Sequence, residues 1–483
     1  MRPFVVKPHQ CLKGQISLLG DKSIAHRSII ISALSRGKTR IENFPASEDC
    51  LSTVKAFRKL GIKINLGVRH TVTVFGKGLH GLNKPADPIL VGGSGTTLRL
   101  LLGVLAGQNF KTKLLADTAL SKRPMLRVNV PLRMMGAVIK AKVSRKSGIP
   151  PNINKGAGKR RKSRIEEYPP IIIKGGGLKS IGYRMPVASA QVKSAILLAA
   201  LFAKGNTCIR EPVPTRDHTE RMLKLFRADI KVQLNTIVIK SGKELVSPRL
   251  LTIPGDISSA SFFIVSAAII PESKVLIRNV SLNPSRTGIL RVLKRMGADI
   301  QVTLPGRQAG KSLPRLRSGL PSVAGHPAWP AGRQVASGEP SGDLLVKNSS
   351  LRGTIIKKEE IPSLIDEIPI LMVAACIAKG KTIFKDVGEL RVKETDRIRS
   401  MSENLRKMGA EISVFRFRGR EKIIIRGVKQ LRGTQVRSFG DHRTAMSMIV
   451  AGLTAIGETK IDDISCINKS FPNFLSILKT LRH

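Results

Sequence analysis

The segment GDKSIAHR at residues 20–27 places three polar side chains, Lys22, Ser23 and Arg27, where an apolar helix is expected to begin. Backbone N–H groups without a partner, together with the helix dipole, make a helix N-terminus a natural anion site. The ammonium of Lys22 and the guanidinium of Arg27 can therefore hold two anionic groups, while Ser23 donates through its hydroxyl. The segment also fits a simpler arrangement, in which Ser23 caps the helix beside solvated basic side chains.

Two more segments, LSKRPM at 120–125 and LRVKETDR at 390–397, occupy the same loop-to-helix position further along the chain. Their arginines, Arg123 and Arg397, carry planar guanidinium groups that can bind a carboxylate or a phosphate through two parallel hydrogen bonds. Lys393 offers only a point charge. These segments predict further anion sites at helix starts.

Acidic residues are scarce, so those that stand beside these cations are informative. Glu394 lies within the basic run of the second segment, which on its own is typical of a surface salt bridge. Asp366 and Glu367 open another apolar helix, and the triplet DHR opens one at 441–443. An acid in that position complements the helix dipole and often serves only as a cap.

The elements that must position these side chains repeat six times along the chain. Each copy has an apolar helix with a small or polar start, then a strand of the pattern G-x-T-x-I, then a more amphipathic helix that runs into a further strand. The copies recur about every 70 to 75 residues, apart from two insertions. The G-x-T-x-I strands begin near Thr39, Thr112, Thr207, Val275, Thr382 and Thr459.

The amphipathic helices end in a shared pattern in which glycine suits a left-handed helix cap. Gly61, Gly136, Gly297 and Gly409 occupy that position, whereas the third copy has Arg227. Because the Cβ of arginine disfavours a positive φ, we expect a strained or differently shaped turn there. The sixth copy would be the closing segment SILKTLRH.

Six α/β units, three to a domain, are the architecture that this repeat predicts. The apolar helices are apolar nearly all round, so we expect them to be buried. If their polar starts converge on one cleft, the ligand bound there carries several negative charges.

The charge balance raises a second hypothesis. The chain has 83 lysines and arginines against 33 aspartates and glutamates, a formal net charge of +50, which suits a nucleic-acid-binding protein. Aromatic residues make up only 4% of the chain, too few for the stacking surfaces that hold single strands. Nucleic-acid binding of the specific kind is therefore not expected.

Cysteine usage and hydropathy restrict the class of protein. Five singly placed cysteines fit neither a disulfide framework nor a structural metal site. No apolar run reaches about 18 residues, and the first residues do not resemble a signal peptide. We therefore expect a cytoplasmic protein that does not enter a membrane.

Two insertions interrupt the repeat. Residues 144–166 are basic and aperiodic, and residues 306–340 are rich in Gly, Pro, Ser and Arg. Both predict solvated, mobile loops. The run GKRRKSR at 158–164 could serve as a nuclear or nucleic-acid signal, but such runs are usually ordinary loop charge.

Segments spread in order along nearly the whole chain resemble the EPSP synthase family of enolpyruvyl transferases. They are GDKSIAHR, GSGTTLRL, SKRPM, YRMPVASAQVKSAILLAAL, TRDHTERML, NPSRTG, IDEIPI, LRVKETDRI and GDHRTAM. The resemblance implies a two-domain inside-out α/β barrel built from six repeated βαβ-type units, three per domain. It places one domain at residues 21–253 and the other at 1–20 plus 254–483, so that the chain crosses between them near residues 20 and 253.

The family's reaction transfers the enolpyruvyl group of phosphoenolpyruvate to the 5-hydroxyl of 3-phosphoshikimate and releases phosphate. It belongs to the shikimate pathway, which leads to chorismate and the aromatic amino acids. The resemblance implies no metal and no cofactor, and we expect a monomer. The two crossings form a hinge, so we also expect the domains, with cationic faces that repel each other, to close on the first substrate.

The resemblance also implies roles for individual residues. Asp366 would take the proton of the 5-hydroxyl, and Glu394 with Lys22 would move protons at the methylene carbon and the leaving phosphate. The residues implied for 3-phosphoshikimate are Lys22, Ser23, Arg27, Ser189, Ala190, Gln191, Arg216, Asp366 and Lys393. Those implied for phosphoenolpyruvate are Lys22, Gly95, Arg123, Gln191, Arg397, Arg443 and Lys469.

One departure and one rival within the same fold stay open. Gly93 stands where the family usually has asparagine, which would remove a polar contact near phosphoenolpyruvate. The rival is the UDP-N-acetylglucosamine enolpyruvyl transferase family, which has a Lys-Asn pair near its start and a catalytic cysteine on a mobile loop. Here the pair is Lys22-Ser23, and no cysteine follows an arginine.

Overall fold

A computed structural model describes residues 3–146, 164–304, 338–417 and 420–482, and within those ranges the chain forms 24 strands and 12 α-helices. The strands are β1 (Phe4–Val6), β2 (Lys13–Ser17), β3 (Ser35–Glu42), β4 (Ile64–Leu66), β5 (Val72–Lys77), β6 (Ile89–Leu90), β7 (Lys111–Leu115), β8 (Val138–Lys146), β9 (Arg164–Lys174), β10 (Gly182–Arg184), β11 (Asn206–Arg210), β12 (Asp229–Gln233), β13 (Thr236–Lys240), β14 (Leu245–Val246), β15 (Leu250–Thr252), β16 (Lys274–Ser281), β17 (Asp299–Thr303), β18 (Ser341–Lys347), β19 (Ile355–Ile356), β20 (Lys381–Lys385), β21 (Glu411–Phe417), β22 (Arg420–Arg426), β23 (Gln435–Val436) and β24 (Thr459–Ile461). The helices are α1 (Lys22–Ala33), α2 (Glu48–Lys59), α3 (Gly95–Ala106), α4 (Leu126–Met134), α5 (Ala190–Ala200), α6 (His218–Leu225), α7 (Ile257–Ile269), α8 (Gly288–Arg295), α9 (Ile368–Ile377), α10 (Arg397–Lys407), α11 (His442–Leu453) and α12 (Phe474–Thr480).

The described strands form six sheets, one for each repeated unit. Their strand orders are β14-β3-β5-β4 with β15 also on β3, β6-β7-β9-β8, β10-β11-β13-β12, β17-β18-β16-β2, β19-β20-β22-β21 and β1-β24-β23. In every sheet the G-x-T-x-I strand has a parallel neighbour on one side and an antiparallel neighbour on the other. The sixfold repeat and the α/β class expected from the sequence are confirmed.

The parallel neighbours close the units into two rings of three. In the first ring β6 and β10 pair with the G-x-T-x-I strands of the second and third units, and β14 and β15 return to β3 in the first unit. In the second ring β19 and β23 do the same, but the strand that closes the ring on β16 is β2, near the start of the chain. β1 then supplies the antiparallel strand of the sixth sheet.

Each ring encloses its own hydrophobic core. Helices α1, α3 and α5 are buried almost throughout in the first core, which draws on residues between Ile24 and Ile253. Helices α7, α9 and α11 are buried in the second core, which draws on Val6 to Leu18 and on Ile257 to Leu481. The division of the chain into 21–253 and 1–20 plus 254–483 stays a prediction, which the two cores support.

The two expected crossings lie side by side. Gly20 and Gly255 form an isolated antiparallel bridge, and the Asp21 backbone N–H donates to the Pro254 carbonyl at 2.8 Å. A Cβ at Gly20 would lie 2.3 Å from the Asn43 carbonyl oxygen, so only glycine allows this close approach. The two crossings are therefore hydrogen-bonded to each other; the hinge stays a prediction.

The turn at Arg227 has the same shape as its glycine counterparts. Its φ is +66°, beside +83° at Gly61, +112° at Gly136, +96° at Gly297 and +89° at Gly409. The arginine therefore adopts the left-handed conformation at a steric cost. Of the two alternatives, strain is correct and a different shape is wrong.

The insertions are shorter than the sequence suggested. Residues 144–146 and 164–166 pair as the ends of β8 and β9, so the margins of the first insertion are strand rather than loop; residues 147–163, with most of GKRRKSR, lie outside the described residues. Of the second insertion, 305–337 lies outside them too, but Glu339 is buried and hydrogen-bonded, not solvated. Composition alone could not reveal these long-range partners.

Candidate active site

The buried helices begin where the predicted site residues collect. In five of them a side chain just before the first turn accepts a backbone N–H of the helix: Asp21, Ser94, Ser189, Asp256 and Asp441. These caps fix the first turns, on which Lys22, Gly95, Ala190 and Arg443 stand. These helix starts carry fixed positive dipole ends and basic side chains.

Asp366 lies just before α9 and is surrounded by arginines from both rings. Arg216, from the first ring, donates to its Oδ2, and Nη1 of Arg397 lies 3.4 Å from its Oδ1. Nη1 of Arg443 donates to its backbone carbonyl at 2.9 Å. Burial would raise the pKa of Asp366, but these guanidinium groups hold it well below its usual range. The carboxyl group is therefore ionised.

Glu394 is also held by arginines of both rings, so it is more than a local salt bridge. Nη2 of Arg397 lies 2.5 Å from its Oε2, and Nη1 of Arg123 lies 3.5 Å from its Oε1. Burial opposes ionisation, yet the two guanidinium groups keep the pKa of Glu394 well below the usual value.

Lys22 connects the first turn of α1 to the second ring. Its Nζ donates to Oδ2 of Asp49 at 3.0 Å and to Oγ of Ser470 at 3.1 Å. Burial lowers the pKa of Lys22, but Asp49 more than compensates and the pKa is raised. Lys469, next to Ser470, is exposed at the end of the 3₁₀ turn Ser465–Lys469.

Arg27 is buried and makes three hydrogen bonds within the first ring. It donates to the Ser23 carbonyl at 2.9 Å, to Oγ of Ser194 at 2.7 Å and to Oγ1 of Thr219 at 2.6 Å. Burial lowers its pKa to about 10, so the guanidinium remains charged at neutral pH. Its side chain therefore cannot be a loosely solvated neighbour of a cap.

Gln191, Gly95 and Arg123 meet around Arg99, a residue that the sequence did not single out. Arg99 donates to Oε1 of Gln191 at 2.7 Å, and Gln191 donates to Oγ1 of Thr96 at 3.0 Å. A Cβ at Gly95 would lie 2.8 Å from Nη1 of Arg123 and 3.0 Å from Nη1 of Arg99. Glycine thus lets both guanidinium groups approach the start of α3.

The remaining predicted residues lie close to these contacts. Ser189 caps α5, Ala190 begins it, and Lys393 has its pKa lowered by burial despite the nearby charge of Asp366. Gly93 lies against Asp117: a Cβ there would be 2.8 Å from Oδ2. Asparagine therefore does not fit at this position unless Asp117 moves.

Several site residues escaped the sequence analysis. Asp49, which no motif marked, accepts a hydrogen bond from Lys22; it is one of two acids in the first turn of α2. Asp441, expected to be a cap, also accepts from Nε of Arg397 at 2.8 Å. Arg99 is the one charged residue of α3, which is the local signal that could have marked it.

The Nε of Arg123 is buried and has no hydrogen-bond partner among the described residues, so this donor is free to bind a ligand.

Among those same residues no cluster of three or more His, Cys, Asp or Glu side chains could hold a metal ion. No helix in the described ranges is long and apolar enough to cross a membrane.

Comparison with known proteins identifies the family of the chain. The model of the EPSP synthase family matches residues 6–478. The 3-phosphoshikimate 1-carboxyvinyltransferase of Desulforamulus reducens is 43% identical over 99% of this chain and 98% of its own length, and that of a Geobacter species is 43% identical over 99% of both.

Solved structures give the same result. EPSP synthase from Acinetobacter baumannii has a TM-score of 0.79 and 38% identity over 100% of this chain and 98% of that one. The enolpyruvyl transferase NikO from Streptomyces tendae shares the fold, with a TM-score of 0.72 and 15% identity. The two alternatives, a UDP-N-acetylglucosamine enolpyruvyl transferase and a nucleic-acid-binding protein, are not favoured. Full-length similarity and the family match together show that the chain belongs to the EPSP synthase (3-phosphoshikimate 1-carboxyvinyltransferase) family.

Proposed function

We propose that this protein transfers the enolpyruvyl group of phosphoenolpyruvate to the 5-hydroxyl of 3-phosphoshikimate, giving 5-enolpyruvylshikimate 3-phosphate and phosphate, on the pathway to chorismate and the aromatic amino acids. The observation that carries the proposal is the pair of ionised carboxylates, Asp366 and Glu394, held in one cleft by arginines from both rings. Such a site offers proton acceptors beside fixed positive charge, as addition of a hydroxyl to an anionic enol phosphate requires.

Both substrates carry a phosphate and a carboxylate, and the cations of the cleft suit them. The residues assigned to 3-phosphoshikimate are Lys22, Ser23, Arg27, Ser189, Ala190, Gln191, Arg216, Asp366 and Lys393. Those assigned to phosphoenolpyruvate are Lys22, Gly95, Arg123, Gln191, Arg397, Arg443 and Lys469. The unpartnered Nε of Arg123 supports its assignment, since a buried donor without an acceptor suits an anionic ligand.

Asp366 accepts the proton of the 5-hydroxyl. One of its oxygens is paired with Arg216, which is itself assigned to 3-phosphoshikimate, so binding of that substrate draws Arg216 away and frees the oxygen for the hydroxyl. The hydroxyl becomes acidic as its oxygen attacks C2 of phosphoenolpyruvate. A carboxylate of low pKa can therefore act as the base at that moment.

Glu394 and Lys22 act at the other end of the reacting bond. The carboxylate of phosphoenolpyruvate competes with Glu394 for Arg123 and Arg397, and the pKa of Glu394 rises as it shares these cations. As its pKa rises, Glu394 takes up a proton from solvent and delivers it to C3 while O5 bonds to C2. It recovers a proton from C3 when the C2–O bond to phosphate breaks. The departing phosphate takes a proton from Lys22, which Asp49 keeps protonated before the reaction, and the proton held by Asp366 returns through solvent to Lys22.

Three further features belong to the proposal. The domains are residues 21–253 and 1–20 plus 254–483, supported by the two separate cores and the paired crossings. The protein acts as a monomer, because one chain supplies both sets of substrate ligands. It works in the cytoplasm, where both phosphorylated substrates would be made. Light scattering of the purified protein tests the oligomeric state.

The test of the function is release of phosphate when purified protein is mixed with both substrates. We expect release to require both phosphoenolpyruvate and 3-phosphoshikimate, with little from shikimate, which lacks the 3-phosphate, and none with UDP-N-acetylglucosamine as acceptor. Release of phosphate from phosphoenolpyruvate with UDP-N-acetylglucosamine, but not with 3-phosphoshikimate, as the acceptor would favour the rival reaction. No release with any acceptor would defeat the proposal.

A further inference from the structure

We propose that Lys193 is a positioning residue for 3-phosphoshikimate: its buried ammonium fixes the loop that carries Arg216 and the helix contacts that hold Arg27. This inference rests on the proposed function, in which both arginines bind that substrate. Lys193 lies in the QVKSA run of α5, two residues after Gln191, and has no part in the reaction described above.

The ammonium of Lys193 is buried, with 1% of the side chain exposed, and it has three oxygen partners. Nζ donates to Oε2 of Glu211 at 2.9 Å and to the carbonyl of Thr215 at 3.3 Å, and it lies 2.6 Å from Oε1 of Glu220. Three donors thus meet three acceptors, so the ammonium is held in one place.

Two of those partners belong to the loop between β11 and α6. Glu211 is its first residue, and Thr215 directly precedes Arg216. The hydroxyl of Thr215 also donates to the second carboxylate oxygen of Glu211. Lys193 therefore joins both ends of a five-residue stretch, and the backbone position of Arg216 is set by where Thr215 is held.

The third partner, Glu220, connects Lys193 to Arg27. Thr219, next to Glu220 on α6, and Ser194, next to Lys193 on α5, both accept hydrogen bonds from the Arg27 guanidinium. The Ser194 hydroxyl donates to the Ala190 carbonyl at 2.7 Å, so the Thr219 hydroxyl must donate to Ser194. The ion pair of Lys193 with Glu220 holds α5 and α6 together directly beside these contacts.

Charge balance makes Lys193 hard to replace. Burial lowers its pKa, but Glu220 and Glu211 raise it above the usual value. Removal of the ammonium leaves two buried carboxylates without their cation, and they must draw in water or turn away. Either change shifts Thr215 and α6, and with them the two arginines that face the substrate.

The test uses Lys193→Met and Lys193→Arg in the full-length protein. We expect calorimetric titration to show that the Kd for 3-phosphoshikimate rises about 10- to 100-fold in both, since a displacement of about 1 Å in a binding group has effects of this size. With saturating 3-phosphoshikimate, KM for phosphoenolpyruvate should stay within about threefold of wild type. The reason is that, among the described residues, no hydrogen bond or ion pair joins the phosphoenolpyruvate ligands Arg123, Arg397 and Arg443 to Lys193 or to its three partners. Lys193→Arg keeps the positive charge and preserves the fold if the Met variant is unstable, but its planar fork cannot reproduce the three contacts.

The matched control is Arg133→Met, which breaks another ion pair of the first ring, that of Arg133 with the buried Glu167. It should lower the melting temperature without raising the Kd for 3-phosphoshikimate. The inference is overturned if folded Lys193→Arg binds 3-phosphoshikimate within twofold of wild type, or if the Kd and KM for the two substrates rise together. A wild-type protein that releases no phosphate would defeat the proposed function instead.

Discussion

Arg127 on α4 and Glu389 in the second ring form an ion pair, with Nη1 and Oε1 2.5 Å apart. Neither is among the residues assigned to a substrate. The pair of Arg123 with Glu394 crosses the same boundary. The facing surfaces, expected from the sequence to be cationic and mutually repulsive, are joined by opposite charges at these two contacts, where the second ring contributes acids and the first contributes arginines.

Removal of the Arg127–Glu389 pair should favour separation of the rings. We expect Glu389→Gln to raise KM for both substrates about two- to fivefold, the effect of a partly exposed ion pair, with a smaller change in kcat. Steady-state kinetics measures this. The control is Glu403→Gln, whose partner Arg399 lies on the same helix and therefore cannot hold the rings together. Equal KM values in the two variants would contradict the prediction.

The two active-site acids should affect turnover rather than binding. Asp366→Asn and Glu394→Gln preserve shape but remove proton transfer, so we expect kcat to fall about 10²- to 10⁴-fold. Calorimetry should still detect binding of 3-phosphoshikimate to both, whereas Arg27→Ala should mainly lose that binding. Near-normal turnover in both amide variants would show that the roles are wrongly assigned.

A methyl group at position 95 should weaken phosphoenolpyruvate binding. The Cβ of Gly95→Ala would lie 2.8 Å from Nη1 of Arg123, so the guanidinium must move away from it. We expect KM for phosphoenolpyruvate to rise about tenfold, with the Kd for 3-phosphoshikimate unchanged. Gly182→Ala is the control, because its Cβ meets nothing within 4 Å. If both variants behave alike, the steric explanation fails.

The strained turn at Arg227 offers a gain in stability. Arg227 has a φ of +66°, which disfavours a residue with a Cβ. Arg227→Gly should remove this steric cost and raise the free energy of unfolding by about 0.5–1 kcal/mol. The reverse change, Gly409→Ala, occupies the equivalent turn with open space around its Cβ and should cost a similar amount. Thermal melting of both variants checks the sign. A lower melting temperature in Arg227→Gly would mean that its side-chain contacts outweigh the strain.

Asp256, the cap of α7 at the second crossing, should make stability depend on pH. Burial and the nearby charge of Asp21 raise its pKa from 3.8 to about 6, although Arg286 opposes them. The folded protein therefore holds this proton more tightly than the unfolded chain, and stability is lost as pH rises from about 4 to about 6. Asp256→Asn cannot titrate and should not lose stability over this pH range. A pKa shift of about two units corresponds to a change of at most about 3 kcal/mol in the free energy of unfolding of wild type.

Melting curves of wild type and Asp256→Asn at pH 4.5 and pH 7.5 provide the measurement. We expect the melting temperature of Asp256→Asn, relative to that of wild type, to be higher at pH 7.5 than at pH 4.5. A difference in melting temperature that is the same at both values would rule out titration of Asp256 as its cause.

Local sequence patterns predicted the units of this fold well, because a helix cap, a strand and a buried helix each depend on neighbouring residues. They also located Lys22, Asp366 and Glu394. They could not reveal the partners of these residues. Arg216 binds Asp366 across 150 positions, and Asp49, the partner of Lys22, lies in the first turn of α2, where an acid complements the helix dipole in any case. Glu339 was misassigned for the same reason, since its burial depends on His218 in the other ring.

The closure of the second ring by β1 and β2 determines when each half can fold during synthesis. The first ring is complete once β15 has left the ribosome. β1, in contrast, pairs with β24, about 450 residues later. At about 5–20 residues per second it waits roughly half a minute to a minute and a half for its partner. The two rings therefore mature in sequence, and the earliest segment made is among the last to find its place.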